Sequence, residues 1–163
     1  MAERYPHVNK AHQYCRDIAS GKIEAGNLVK LACARHMNDL EQESNASFLF
    51  KFDKDKAERV CRFSENMTHV KGKWSNEKIV LQPWQCFIFC VLFGWVQKRD
   101  NRRRFREAYI EVPRKNGKSV IAACIANYMF LADSEDGAEI YSGATTEKQA
   151  WEVFRPAKQM LEK

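Results

Sequence analysis

The chain has no apolar run long enough to cross a membrane. Its longest, "CFIFCVLFGWV" at 86–96, is about half a span and suits a buried helix. The opening "MAERYPHVNK" is polar and lacks the apolar centre of a secretory signal. No internal repeat or low-complexity tract interrupts the chain, which excludes solenoids and flexible tails. Six cysteines are present without a secretion signal, and several lie inside apolar helical patterns. A free thiol there acts as a small hydrophobe, which points to a reducing cytoplasm. With 163 residues, 45% of them hydrophobic and 29% charged, the composition is globular and supports one ordinary domain with a core. The net charge of +6 suggests a polyanionic partner without specifying one.

Val8, Ala11, Cys15 and Ile18 recur at helical spacing, and "SGK" at 20–22 closes that helix. A second helix is predicted from about Asn27 to Leu40, with Leu28, Val29, Ala32, Cys33 and Leu40 on its inner face. A third starts near Asp53 or Asp55, with Asp55 and Glu58 as N-terminal caps and Ala57, Val60, Cys61 and Met67 inward. After a loop at 69–78, Pro83 opens a helix predicted to run to about Gln97. "AYIEV", ending at Pro113, reads as a strand, and residues 119–132 as a helix apolar on nearly all sides. "AEIYSGA" at 138–144 reads as a second strand. Thr146 and Gln149 are spaced as a capping box for a last helix. The predicted fold class is α/β: a helical N-terminal region (1–80), then the start of a P-loop parallel sheet (81–163), incomplete in this chain.

Between the first predicted strand and its helix lies "VPRKNGKS" (112–119). A phosphate loop belongs between a strand and a helix start, because the free N–H groups and the helix dipole hold the anion. The usual pattern is G-x-x-x-x-G-K-[ST], and Val112 stands where its first glycine should be. Gly117 lets the backbone curl, Lys118 reaches β and γ oxygens, and Ser119 ligates Mg²⁺, while Arg114, Lys115 and Asn116 complete the loop.

Here the sequence resembles the large subunit of tailed-phage terminases, the motor that packages DNA into the procapsid. The resemblance rests on "SGKIEAGNLVKLACARHMNDL", "HVKGKWSNEKIVLQPWQCFIFCVLFGW", "RRRFREAYIEVPRKNGKSVIAACIANYMF" and "IYSGATTEKQAWEVF", in that order, with "PRKNGKS" as the family's deviant Walker A loop. It implies ATP and Mg²⁺, double-stranded DNA, a portal protein, a small terminase subunit, a homo-oligomeric ring and the cytoplasm of a bacterial host. It also implies that the P-W-Q segment lies near adenine, which falls on Trp84 and Gln85. A glutamine can read an adenine edge while an aromatic stacks, but Trp84 equally suits a helix core.

Such an ATPase also needs a strand ending in an acidic pair, one carboxylate for Mg²⁺ and a glutamate for the attacking water. "MFLAD", ending at Asp133, sits at the end of the loop's own helix and is rejected. A clustered-acid nuclease site is likewise missing. The chain therefore reads as the N-terminal portion of a terminase large subunit, with no ATPase or nuclease activity expected from it alone.

Two further signals stand apart. His12, Cys15, Cys33 and His36 form an H-x₂-C, C-x₂-H arrangement, yet i,i+3 pairs on apolar faces are ordinary core positions, and zinc is not expected. "KRDNRRRFR" (98–106) places six cations in nine residues and is either a solvated turn or a contact to DNA or a neighbouring subunit. Rival readings are a small-molecule P-loop kinase, disfavoured by the long helical region before the loop, and a non-enzymatic nucleic-acid or zinc-binding module.

Overall fold

A computed structural model describes residues 3–133 and 135–163. They fall into two compact units. The first runs to Cys61 and resumes over Leu81–Ala108; the second comprises Arg62–Val80 and Tyr109–Lys163.

In the first unit, α1 (Pro6–Ala19) begins on Pro6, whose fixed φ suits a first turn, and buries Val8, Ala11, Cys15 and Ile18 as its spacing predicts. Its free amides are capped from a distance. One Glu58 oxygen accepts from the His7 and Val8 N–H groups at 3.1 and 3.3 Å, and the other lies 2.7 Å from His7 Nδ1. A carboxylate at that helix end meets both orphan donors and the positive pole of the dipole. Glu58 is therefore not a cap of its own helix, α3 (Lys54–Asn66). Asp53 has that role, accepting from the Lys56 N–H at 2.9 Å, while Asp55 accepts from the Tyr5 hydroxyl. Ala57, Val60 and Cys61 point inward as expected, whereas Met67 lies beyond the helix and is half-buried.

Helix α2 (Asn27–Gln42) departs from its predicted face. It buries Cys33 and His36, half-buries Ala32 and Leu40, and leaves Leu28 77% and Leu31 65% exposed. The helix packs along a narrow side on α1, so its N-terminal leucines have no neighbour to cover them.

Helix α4 (Pro83–Gly94) buries residues around most of its circumference, Cys86, Phe87, Phe89, Cys90, Val91 and Phe93 among them. It stops at Gly94 rather than running to Gln97. Trp95–Gln97 is strand β2, paired antiparallel with β1 (Phe50–Phe52) in the register Phe50↔Gln97, Lys51↔Val96, Phe52↔Trp95. The Gly94 carbonyl leaves the helix to accept from the Asp53 N–H at 2.8 Å, and the bulky Trp95 and Val96 then suit an extended, buried backbone.

The second unit is built on α5 (Lys118–Leu131) against α6 (Glu147–Leu161). Buried Asn127 donates to the Ala157 carbonyl at 3.0 Å, beside the internal Pro156. Thr146 caps α6 by accepting from the Gln149 N–H, the first half of the predicted capping box; Gln149 Oε1 accepts from the Thr145 hydroxyl instead of closing it. Residues 67–79 form a closed hairpin-like loop, with backbone bonds from Ile79 to Met67 and between His69 and both Asn76 and Glu77.

The two predicted strands of a parallel sheet do not pair. Residues 108–112 and 138–144 carry no regular strand, and no described backbone bond joins them to each other or to another element. Both keep a strand's two-sided character. Tyr109 bonds Glu111, and Tyr141 bonds Glu139, on exposed faces, while Ile110, Val112, Ile140 and Ser142 are half-buried. A period of two fixes which side faces the protein; a strand additionally needs a neighbour to accept its amides. The mixed helix and strand content agrees with α/β, but the described sheet is the two-stranded antiparallel one.

Candidate functional site

The loop at 112–119 turns twice through the left-handed region. Lys115 has φ +67° and Gly117 φ +76°, with Asn116 between them outside it. Alternating handedness curls successive N–H groups toward one side, the arrangement of an anion-binding nest. Gly117 is the N-cap of α5 and no side chain caps that end, so the helix's first amides are left for another acceptor. Gly117 can take this conformation freely; at Lys115 a side chain endures it.

The other face of the loop is occupied by its own donors. Lys118 Nζ donates to the Val112 carbonyl at 3.0 Å, and Asn116 Nδ2 donates to the Pro113 and Arg114 carbonyls, both at 3.3 Å. Arg114, Lys115, Asn116 and Lys118 are exposed, and Gly117 and Ser119 are half-buried at the helix start. The structure thus brings Arg114–Ser119 together on one short turn of matching chemistry. Sequence reading missed the two internal braces. No residue type announced them, because they depend on the positive φ of Lys115 and Gly117 on either side of Asn116.

Trp84 and Gln85 lie in the first unit, half-buried in the first turn of α4. Gln85 has a duty there: its Oε1 accepts from the Gln82 N–H at 2.8 Å, closing a capping box in which the Gln82 side chain accepts in return. The spacing Q-P-W-Q, glutamine at N-cap and N3, carried that signal.

The basic stretch is largely spent on structure. Arg104 pairs with Asp39 at 2.7 Å, both side chains mostly buried, and its guanidinium lies 4.5 Å from the Phe50 ring centroid and 5.4 Å from that of Trp95. Lys98 donates to the Glu43 and Asn45 carbonyls, and Arg99 and Arg102 flank Asp100.

The H-x₂-C, C-x₂-H residues do meet, as pairs across α1 and α2. The His12 and His36 rings are 5.2 Å apart, and the Cys15 and Cys33 thiols hydrogen-bond to each other, a bond that with burial pushes the Cys15 thiol up. His36 Nδ1 accepts from the Trp95 indole N–H at 2.9 Å. The proton of a neutral His36 is then on Nε2, which removes that nitrogen as a ligand. Among the described residues no group of three or more His, Cys, Asp or Glu is arranged to hold a metal. Nor is any described helix long and apolar enough to cross a membrane.

Residues 83–163 match the family described as terminase large subunit, ATPase domain. This segment belongs to that family. The terminase match spans α4, the whole of the 112–119 loop, α5 and α6. No curated protein and no solved structure matches the chain. Membership makes the segment a terminase-like ATPase segment, for which nucleotide binding is the general expectation.

Proposed function

We propose that residues 112–119 hold the phosphates of ATP, in the N-terminal portion of a terminase large subunit that acts as an ATP-driven motor packaging double-stranded DNA into procapsids. The observation that carries this is the position of Lys118: an exposed ammonium at an uncapped helix start, inside the matched family segment, held by one backbone carbonyl. An anion arriving at the α5 amides offers that ammonium a stronger acceptor than the neutral carbonyl.

In this reading the amides of Gly117, Lys118 and Ser119 and the dipole of α5 bind the β-phosphate, and Lys118 turns to the γ-phosphate. Arg114 and Lys115 raise the local positive potential, and Asn116 supports the turn. The Ser119 hydroxyl would hold Mg²⁺, which would supply charge neutralisation for the phosphates. Trp84 and Gln85 are proposed for the adenine on the strength of the terminase resemblance alone. The water-activating carboxylate pair is assigned to no residue of these 163, so the chain alone binds nucleotide without turning it over. Residues 1–80 form the helical region and 81–163 the first part of the ATPase domain. The partners proposed are DNA, a portal protein and a small terminase subunit around a homo-oligomeric ring, in the cytoplasm of a bacterial host.

Calorimetric titration with Mg·ATP or ADP tests the site. Lys118→Ala is expected to weaken binding by at least about tenfold, the value of one charge-assisted bond. Equal affinity in the two proteins would sink the assignment.

A further inference from the structure

Resting on the nucleotide reading of this loop, we propose that Asn116 is its positioning residue: by drawing the Pro113 and Arg114 carbonyls to itself it does the work of the glycine missing at Val112. A phosphate cradle fails if a carbonyl oxygen turns into it, because two acceptors then face each other. A glycine at the first position normally lets the backbone choose the right rotation. Val112 cannot, and Pro113 beside it is fixed in φ and restricts Val112 further.

The structure shows what replaces that freedom. The three carbonyls leading into the turn, at Val112, Pro113 and Arg114, all accept from side chains of the same loop, the first from Lys118 and the other two from Asn116. The two donors differ in kind. Lys118 is a cation that a phosphate attracts away, so its brace holds only while the loop is empty. Asn116 is neutral and gains little from a phosphate, so its brace stays when the nucleotide arrives. It also sits at the one residue between the two left-handed ones, where a rotation would reverse the curl. Asn116 acts through the backbone and holds no phosphate itself.

The test titrates Mg·ADP into the full chain and its variants. Asn116→Ala is expected to bind about tenfold more weakly, because without the brace only a minor share of the loops holds the rotation that accepts a phosphate. Asn116→Leu, near-isosteric and without a donor, should match it, and Asn116→Ser, with one donor, should fall between. The melting temperature without nucleotide should not change in any of the three, because Asn116 is exposed and outside the core. In nitrogen-15 spectra the amide signals of Lys115 to Ser119 should shift in Asn116→Ala and those of α6 should not. Wild-type affinity in Asn116→Ala and Asn116→Leu, with affinity lost in Lys118→Ala, would overturn the positioning role and leave the nucleotide site standing. No binding by the wild-type chain would overturn both. A lower melting temperature in Asn116→Ala would show instead a residue of general stability.

Discussion

His36 is buried, accepts from the Trp95 indole and faces His12, so neither imidazole welcomes a proton. Burial, then the charges of Arg16 and Lys54, hold His12 down at about 4; burial, then His12 and Arg35, hold His36 at about 3. In the unfolded chain both titrate near an ordinary ~6.5. Between those values the unfolded chain binds more protons than the folded one, so this contribution is complete above about pH 6.5 and is lost as pH falls toward 3. Urea midpoints are expected to drop steadily from pH 7 to pH 4, and His12→Gln should flatten the profile. A variant profile as steep as the wild type would mean that His12 titrates without penalty. Residues of the same surface chemistry behave differently: Arg104, wedged among aromatic rings against Asp39, is a core cation in a stretch whose composition reads as solvated.

At the scale of elements, the meeting of α3, α4 and β1 turns on one hydrogen atom. A Cβ placed on Gly94 would lie 2.6 Å from Phe52 Cε2 and 2.9 Å from the Ala57 Cβ. Gly94→Ala is therefore expected to destabilise by about 1–3 kcal/mol, the usual cost of overpacking a core. A denaturation midpoint unchanged from the wild type would show that Phe52 swings aside freely. Such crowding also marks where the sequence was legible and where it was not. The stripe Val8, Ala11, Cys15, Ile18 declares α1, since burial on one face demands that period. Pro83 and the Thr146 cap declare the starts of α4 and α6 for equally local reasons. The end of α4 was not legible: Trp95 and Val96 continue an apolar run, and only the distant Asp53 amide decides that the chain leaves the helix. The exposed Leu28 and Val29 misled in the same way, because burial depends on what stands opposite. In the loop, residue types pointed to anion chemistry, but the Asn116 and Lys118 braces follow from backbone rotation, which composition does not encode.

For the molecule as a whole, hydrogen-bonded structure is unevenly spread. Amides of 108–112 and 138–144 lie outside any described ladder, while those of α4 and α5 are helical and largely buried. Hydrogen exchange is expected to be fast in both extended segments and slowest in α4, and Mg·ADP should add protection at Gly117 to Ser119 above all. Slow exchange at 108–112 in the free chain would mean that those amides have acceptors of their own. The burial of Trp95 has a practical corollary. Its indole is fully enclosed, whereas Trp74 is 52% and Trp151 38% exposed, both in the second unit. An aqueous collisional quencher such as iodide will therefore dim the second unit's emission first. The blue, protected light that remains comes largely from Trp95, so quenching separates the enclosed interior of the first unit from the exposed tryptophans of the second without a label on either.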